Sequence, residues 1–179
     1  MAFKSPTAAE VEALIAECHP DIHAMVAYWR SKLGARRMPS RSDIDPSELK
    51  PYLARISLVD VVPDERRFVY RLVGTEEAAL RGYDPTGRPV AEGFFGPNRE
   101  LAFAHYGYVV DHRAPYCYRG DFDVQDGVIE NEDVIFLPLS EDDENVNMIL
   151  VFYFDYRDQP RVEASSVLLR YQTRKNDDQ

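Results

Sequence analysis

The segment between Ile56 and Val90 constrains the fold more than any other part of the chain. Its first apolar run, Ile56 to Val62, ends at a Pro-Asp turn that cannot continue a central strand. A second run begins at Phe68, and its large apolar side chains alternate with others, as in a strand with one covered face. Thr75 then caps a short helix that Gly82 ends. The segment therefore predicts two antiparallel strands followed by a helix.

Three more strands are predicted in the second half, after a helix from Asn98 to about His112. The segment from Tyr116 to Val124 alternates like a strand with one covered face, and Asp126-Gly127 is a strong hairpin signal. Val128 to Leu139 and Asn147 to Asp155 each contain a run that is apolar on both faces, which indicates central strands covered on both sides. The sequence therefore predicts an α+β fold, in which a five-stranded antiparallel sheet has helices on one face.

An amphipathic helix is predicted in front of the sheet. Thr7 and Glu10 have the spacing of a capping box, and apolar residues then repeat at intervals of three and four. Pro20 interrupts the pattern, so either the helix kinks there or a second helix begins with Pro20 in its first turn. We expect the apolar stripe to pack on the domain, on a partner or on its copy in a homodimer. Its candidate interface residues are Val11, Ile15, Ile22 and Trp29.

The composition is that of one folded domain with extensions. The chain has 179 residues, of which 45% are hydrophobic, and this is enough for a core. We predict an N-terminal helical extension over residues 1–36, the sheet domain over 37–157, and a C-terminal tail over 158–179 with room for one short element.

The charge and the apolar runs limit the partners. A net charge of −10 argues against nucleic acid and against an anionic membrane surface. The N-terminus does not resemble a signal peptide, and the longest apolar run, Met148 to Phe154, is far below the roughly 18 to 20 residues that span a bilayer. We therefore expect a cytoplasmic location, with no nucleic-acid and no membrane partner.

No catalytic residue and no metal site is predicted. Cys18 and Cys117 are far apart in the sequence and neither has a CxxC partner, so they suggest no disulfide framework and no thiolate metal site. His19 and His23 have the spacing of two metal ligands but lack an evident third.

An enzyme is the alternative. A small α+β cone could transfer protons with a buried Asp, Tyr or His, and its candidates are His105 and His112 beside Asp111. We expect surface or capping roles for both histidines, and Arg71 is expected to form a structural ion pair with Asp60 or with an acidic group of the neighbouring strand.

Six short motifs occur together between about Met25 and Asp155. They are Tyr28-Trp29, Pro39-x-Arg41-x-Asp43-Ile44-Asp45-Pro46, Phe68-x-Tyr70-Arg71-Leu72-Val73-Gly74-Thr75, Gly82-x-Asp84-x-Thr86-Gly87, Pro115-Tyr116 and Leu137-Pro138-Leu139-Ser140. In this combination the chain resembles the single-domain PAS proteins of alphaproteobacteria, small stand-alone relatives of sensory PAS domains. The resemblance implies a PAS-like fold and a non-catalytic sensory or regulatory role in bacterial signalling, and it leaves the ligand and the signalling partner open.

Two functional hypotheses fit such a fold. In the first, a small ligand binds in an aromatic pocket and shifts the helices, although the same rings could simply fill the core. In the second, the chain is a protein-interaction module, or a structural dimerisation domain without a ligand, and forms a homodimer through its N-terminal stripe. The cofactor is unknown, because the motif of flavin-cysteine photosensors is absent around Cys117 and helix histidines alone do not indicate haem. The candidate pocket residues are Phe68, Tyr70, Tyr106, Tyr116, Tyr118 and Phe152.

Overall fold

The computed structural model describes residues 3–94, 98–124 and 128–156, and it describes no side chains between residues 121 and 131. The hairpin turn predicted at Asp126-Gly127 and the predicted tail over 158–179 lie outside the described residues. Among the described residues, no helix has both the length and the apolar character needed to cross a bilayer.

The described strands form one antiparallel sheet of five strands, and this confirms the predicted fold class. Their order in the sheet is β2-β1-β5-β4-β3, so β5 and β4 have a neighbour on each side. Both strands carry apolar side chains towards both faces, as the sequence predicts. The strands are β1 (Ile56–Val61), β2 (Phe68–Leu72), β3 (Tyr116–Val124), β4 (Val128–Leu139) and β5 (Met148–Asp155).

The pairing register assigns each side chain to one of two faces. Phe136 is paired with Tyr116, and these side chains lie on the face that α5 covers, which we call the inner face. Ile135 is paired with both Cys117 and Phe152, and these side chains lie on the opposite, outer face. The two faces are therefore lined by different residues of the same strands.

An irregularity in β2 changes which face its residues point to. Leu58 pairs with Leu72 but Val59 pairs with Tyr70, so Arg71 is an extra residue opposite this step. As a result Leu72 lies on the outer face while Tyr70 lies on the inner face. Arg71 Nη2 contacts the Asp60 carboxylate at 2.8 Å, and this confirms the predicted ion pair, which is largely exposed and contributes little to stability.

Three of the described helices lie on the inner side of the sheet. They are α3 (Thr75–Arg81), α4 (Val90–Gly93) and α5 (Arg99–His112). Thr75 is the first residue of α3 and Gly74 occupies the cap position, one residue earlier than predicted. Gly82 ends α3 in the left-handed conformation, at φ 73°, which other residues adopt only with strain. The Asn98 side chain caps α5 by accepting a hydrogen bond from the Leu101 amide at 2.9 Å.

The outer side is covered, in the part of the chain that the structure describes, by α1 (Ala8–Ala16) and α2 (Pro20–Ser31). The predicted capping box between Thr7 and Glu10 is present, and Pro20 begins a second helix, where its missing N–H costs nothing. α1 packs beside β3, and α2 packs on β4 and β5. The Trp29 indole donates a hydrogen bond to the Pro138 carbonyl at 2.8 Å. The apolar stripe is therefore docked on the sheet of its own chain.

Replacing Ile22 by Ala should destabilise the fold, because Ile22 is fully buried between α2 and the sheet. We expect the unfolding free energy to fall by about 3 kcal/mol. Urea unfolding measures this change. The matched control is Leu53→Ala, where the side chain is 41% exposed and the loss should be much smaller. Equal losses in the two variants would contradict the docked position of α2.

Candidate functional site

The inner face brings five of the six predicted pocket residues into one layer. Phe68 and Tyr106 have ring centroids 5.0 Å apart, and Tyr106 meets Phe136 edge to face at 5.2 Å. Tyr116 and Tyr118 each contact the His105 ring at 4.8 Å. Tyr70 lies in the same layer through its position on β2. Aromatic pairs at these separations attract each other beyond the gain from burial.

The sixth residue, Phe152, lies on the opposite side of the sheet. It is paired with Ile56 and Ile135, and its ring contacts Tyr52 edge to face at 5.5 Å. The guanidinium of Arg55 lies over the same ring at 5.7 Å. Phe152 therefore shares no pocket with the other five residues, and placing it there was wrong. The reason is the strict alternation of side chains along β5, whose apolar residues face both ways.

A polar cluster is embedded in the inner aromatic layer. Arg81 and Glu77, one turn apart on α3, form an ion pair, and Arg81 also donates to the Gly93 carbonyl. The same guanidinium approaches the Tyr70 hydroxyl at 3.4 Å and lies over the Tyr70 ring at 5.3 Å. Ser57, on β1, donates its hydroxyl to Glu77. The cluster thus joins α3 to the first two strands.

Local packing fixes the position of Tyr70. A Cβ atom built on Gly93 would lie 2.9 Å from the Pro85 Cβ and 3.0 Å from the Tyr70 ring, closer than real contacts allow. Only glycine therefore lets the end of α4 approach this ring. Arg81 and Glu77 are not among the site residues predicted from the sequence. Their spacing of four on a short helix was the available signal, since it places both side chains on one face.

Burial controls the ionisation of this cluster. Removal from water raises the pKa of Tyr70 to about 12 and raises the pKa of Tyr106 well above its ordinary value. Burial is the largest influence on Arg81 and disfavours its charge, but the Glu77 carboxylate together with the Tyr70 and Tyr106 hydroxyls outweighs it, so the pKa of Arg81 is raised. Both phenols are therefore neutral hydrogen-bonding groups at neutral pH, and the guanidinium stays charged.

His105 is a core residue. The surface or capping role predicted for it is wrong, because the ring is buried between Tyr116, Tyr118 and Phe136, and Phe3 contacts it from the N-terminal segment. Desolvation lowers the pKa of His105 to about 3. A group with this pKa is poorly matched to proton transfer near neutral pH. Its partner in the enzyme alternative, His112, stacks on Tyr108 and contacts the Tyr108 carbonyl at 3.0 Å.

The outer face carries a second polar network, which the sequence analysis did not anticipate. The buried Asp133 carboxylate accepts hydrogen bonds from Arg119 Nε at 2.9 Å, from the His19 amide at 2.9 Å and from the Tyr156 hydroxyl at 2.6 Å. Burial is the largest influence on Arg119 and disfavours its charge, but the Asp133 carboxylate together with Cys18 and Tyr156 outweighs it, so the pKa of Arg119 is raised. Arg119 also contacts Glu17 at 3.2 Å. The network therefore joins the α1–α2 junction, β3, β4 and the end of β5.

The candidate interface residues Val11, Ile15, Ile22 and Trp29 are all buried within the single chain. A dimer that used this stripe would require α1 and α2 to leave the sheet. The stripe was expected to pack on the domain, on a partner or on its copy in a homodimer, and in the structure it packs on the domain itself.

In the described part of the chain, no group of three or more His, Cys, Asp or Glu side chains is placed to hold a metal ion. His19 instead stacks on Phe154 at 3.4 Å, and His23 contacts the Ile15 carbonyl at 2.7 Å. These two histidines therefore have structural partners.

A family model described as "PAS domain" matches residues 18–153. This chain belongs to the PAS domain family. The match begins inside the segment 1–36 that we predicted as an extension, so α2 is part of the matched PAS sequence. PAS domains are in general non-catalytic signalling modules, and this membership supports a sensory or regulatory role. No curated protein matches this PAS chain.

Solved PAS structures are similar to this PAS chain at low sequence identity. A light-oxygen-voltage domain studied with a flavin analogue is 14% identical, with 73% of this chain and 93% of that chain covered and a TM-score of 0.47. The PAS domain of BvgS from Bordetella pertussis is 15% identical, with coverages of 67% and 85% and a TM-score of 0.45. The PAS domain of an HTR-like protein from Haloarcula marismortui is 21% identical, with coverages of 62% and 90% and a TM-score of 0.40. These values assign neither a ligand nor a partner to this PAS chain.

Replacing Glu77 by Gln should destabilise the PAS fold, since it leaves the buried Arg81 guanidinium without its counter-charge. We expect a loss of about 3 kcal/mol in the free energy of unfolding. The matched control is Asp64→Asn, which removes an equivalent acidic partner from the exposed Arg66 and should change little. Chemical denaturation of both variants measures these losses. An unchanged free energy of unfolding in Glu77→Gln would contradict the buried ion pair.

His105 should make the stability of the fold depend on pH. Above its ordinary pKa of about 6.5, the ring is neutral in both states and has no effect. Below that value the ring is protonated in the unfolded chain but stays neutral in the folded chain. The free energy of unfolding therefore falls as the pH is lowered, until the pH reaches the folded pKa of about 3. Between pH 7 and pH 5 we expect His105 to remove about 2 kcal/mol.

The comparison that isolates this effect uses His105→Phe, which keeps a ring in the core and removes the titration. Urea unfolding of this variant should show a flatter pH dependence than the unaltered protein. If His105→Phe retained the full slope, the buried neutral imidazole would not be its cause.

Proposed function

We propose that this chain is a non-catalytic PAS module that acts in bacterial signalling through protein contacts and senses a small ligand on the inner face of its sheet. Family membership supports the signalling role. The observation that carries the ligand proposal is the convergence of Arg81, Glu77 and Tyr70 within an otherwise aromatic layer. A few fixed polar groups in apolar surroundings are the usual composition of a small-molecule site.

The residues of the inner face define the class of ligand. Phe68 and Tyr106 offer ring faces, and the Tyr70 hydroxyl and the Arg81 guanidinium offer hydrogen-bond donors. This set favours a flat, largely apolar molecule with one or two acceptor atoms. The five inner-face aromatic residues remain our candidate pocket.

The same packing suggests how the signal is produced. Phe68, on β2, and Tyr106, on α5, are in ring contact, so a ligand between them must move α5 or α3 away from the sheet. Interfaces packed this closely shift between discrete arrangements more readily than they deform. We propose that this helix movement is what a partner protein detects.

A second candidate function, dimerisation without a ligand, is favoured by one observation. Leu53 and Leu72 are 41% and 45% exposed beside a groove of about 310 Å³ on the outer face. Ile44, Leu49 and Leu150 also line this groove. Exposed apolar surface of this kind is typical of contact sites. We therefore propose this groove, instead of the buried stripe, as the contact surface of a homodimer.

Native mass spectrometry of the freshly purified chain, compared with its denatured mass, tests the proposals together. A retained noncovalent mass supports the ligand, and a dimeric mass that Leu72→Asp converts to a monomer supports the groove. A bare monomer at micromolar concentration contradicts both the retained ligand and the homodimer.

If a ligand is retained, Tyr70→Phe should weaken its binding about tenfold, which is the effect of one lost hydrogen bond. Titration calorimetry with the recovered ligand measures this change. Tyr28→Phe is the matched control, since the Tyr28 hydroxyl contacts the Asp45 backbone, away from the inner face. Equal affinity in the two variants would place the ligand elsewhere.

A further inference from the structure

The two cysteines of the chain meet on the outer face of the sheet. Cys18 lies between α1 and α2, and Cys117 is the second residue of β3. Their sulfurs are 3.1 Å apart, both are free thiols, and their side chains are 6% and 0% exposed. Their separation in the sequence therefore gives no measure of their separation in the fold.

The surroundings hold the two thiols in this position. The Cys18 thiol is 3.2 Å from the Leu14 carbonyl, to which it donates, so the Cys117 thiol is left to donate to the Cys18 sulfur. The residues on both sides of Cys18 are also anchored to the sheet. Glu17 contacts Arg119, and the His19 amide donates to Asp133. These contacts hold the backbone on both sides of Cys18, and the two thiols therefore face each other in the folded chain.

We propose that Cys18 and Cys117 form an oxidation site, at which a peroxide produces an intramolecular disulfide that fixes the α1–α2 junction to β3. A disulfide bond is about 2.05 Å long, so the sulfurs must approach by about 1 Å. This approach requires the Cys18 side chain to rotate away from the Leu14 carbonyl, and the hydrogen bond between them is lost. This site is independent of the ligand and contact proposals above.

Cys18 reacts first. It retains some exposure, while the hydrogen bond with Cys18 and full burial raise the pKa of Cys117 well above its ordinary value. The Cys18 thiolate attacks one oxygen of hydrogen peroxide, the O–O bond breaks, and Cys18 becomes a sulfenic acid as the released hydroxide takes up the thiol proton to give water.

Cys117 then completes the reaction. Its sulfur attacks the Cys18 sulfur, the S–S bond forms and the S–O bond breaks, and the leaving hydroxide takes the Cys117 proton as a second water. Overall, two thiols lose two electrons and two protons, and one hydrogen peroxide is reduced to two waters. The bond closes a loop of about 100 residues, for which we expect a rise in Tm of about 10 °C.

The test treats the reduced full-length protein with hydrogen peroxide, unfolds it and adds N-ethylmaleimide. We expect a monomer lighter by two hydrogen atoms, with no maleimide added and with the peptides of Cys18 and Cys117 linked. Its Tm should rise and return to the original value after dithiothreitol. Two alkylated thiols, a disulfide between chains, or sulfinic acid on Cys18 would each overturn the proposal.

Single variants check the order of the steps. In Cys117→Ser, peroxide should leave a Cys18 sulfenic acid that a cyclic 1,3-diketone traps, with no rise in Tm. In Cys18→Ser, the fully buried Cys117 should remain a thiol under the same treatment. Oxidation of Cys117 in Cys18→Ser as fast as oxidation of Cys18 in Cys117→Ser would contradict the assigned order. The measurements on the unaltered protein stand even if a variant fails to fold.

Discussion

The apolar character of β4 and β5 on both faces is the constraint on which the rest of the structure depends. Central strands of this kind cannot leave either face in water, so one layer of helices must cover each side. α5 covers the inner face and α2 covers the outer face, and Ile149 and Leu137 are completely buried between these layers. The N-terminal helices are therefore a structural layer over the sheet, α2 lies within the matched PAS sequence, and the apolar stripe packs on the sheet of its own chain.

Each face also contains one buried polar network, and the two networks differ in what they connect. On the inner face, Arg81 and Glu77 tie α3 to β1 and β2 within an aromatic layer. On the outer face, Asp133 joins the α1–α2 junction to β3 and to Tyr156 at the end of the described chain. A buried carboxylate that accepts hydrogen bonds from several segments is stable only while those segments stay in place. The α1–α2 junction and the end of the described chain are thus held by the same side chain.

The aromatic site was only partly predictable. Phe68 and Tyr106 were found because large apolar residues on an alternating strand and on a helix face must meet in the core. Phe152 was misassigned because β5 is apolar in both directions, so its sequence has no alternation from which to read a face. The irregularity at Arg71 likewise decides that Tyr70 faces inward, and nothing in the local sequence marks it.

The sequence by itself determined the five strands, the helix caps at Thr7 and Gly82 and the need to cover both faces, because these follow from local propensity, turn chemistry and the period of apolar residues. Only the tertiary structure decided which residues become neighbours across the sheet. The contact between Cys18 and Cys117 and the burial of His105 among tyrosines both depend on strand register and on where the helices dock. These relations join residues distant in the sequence, so no local pattern encodes them.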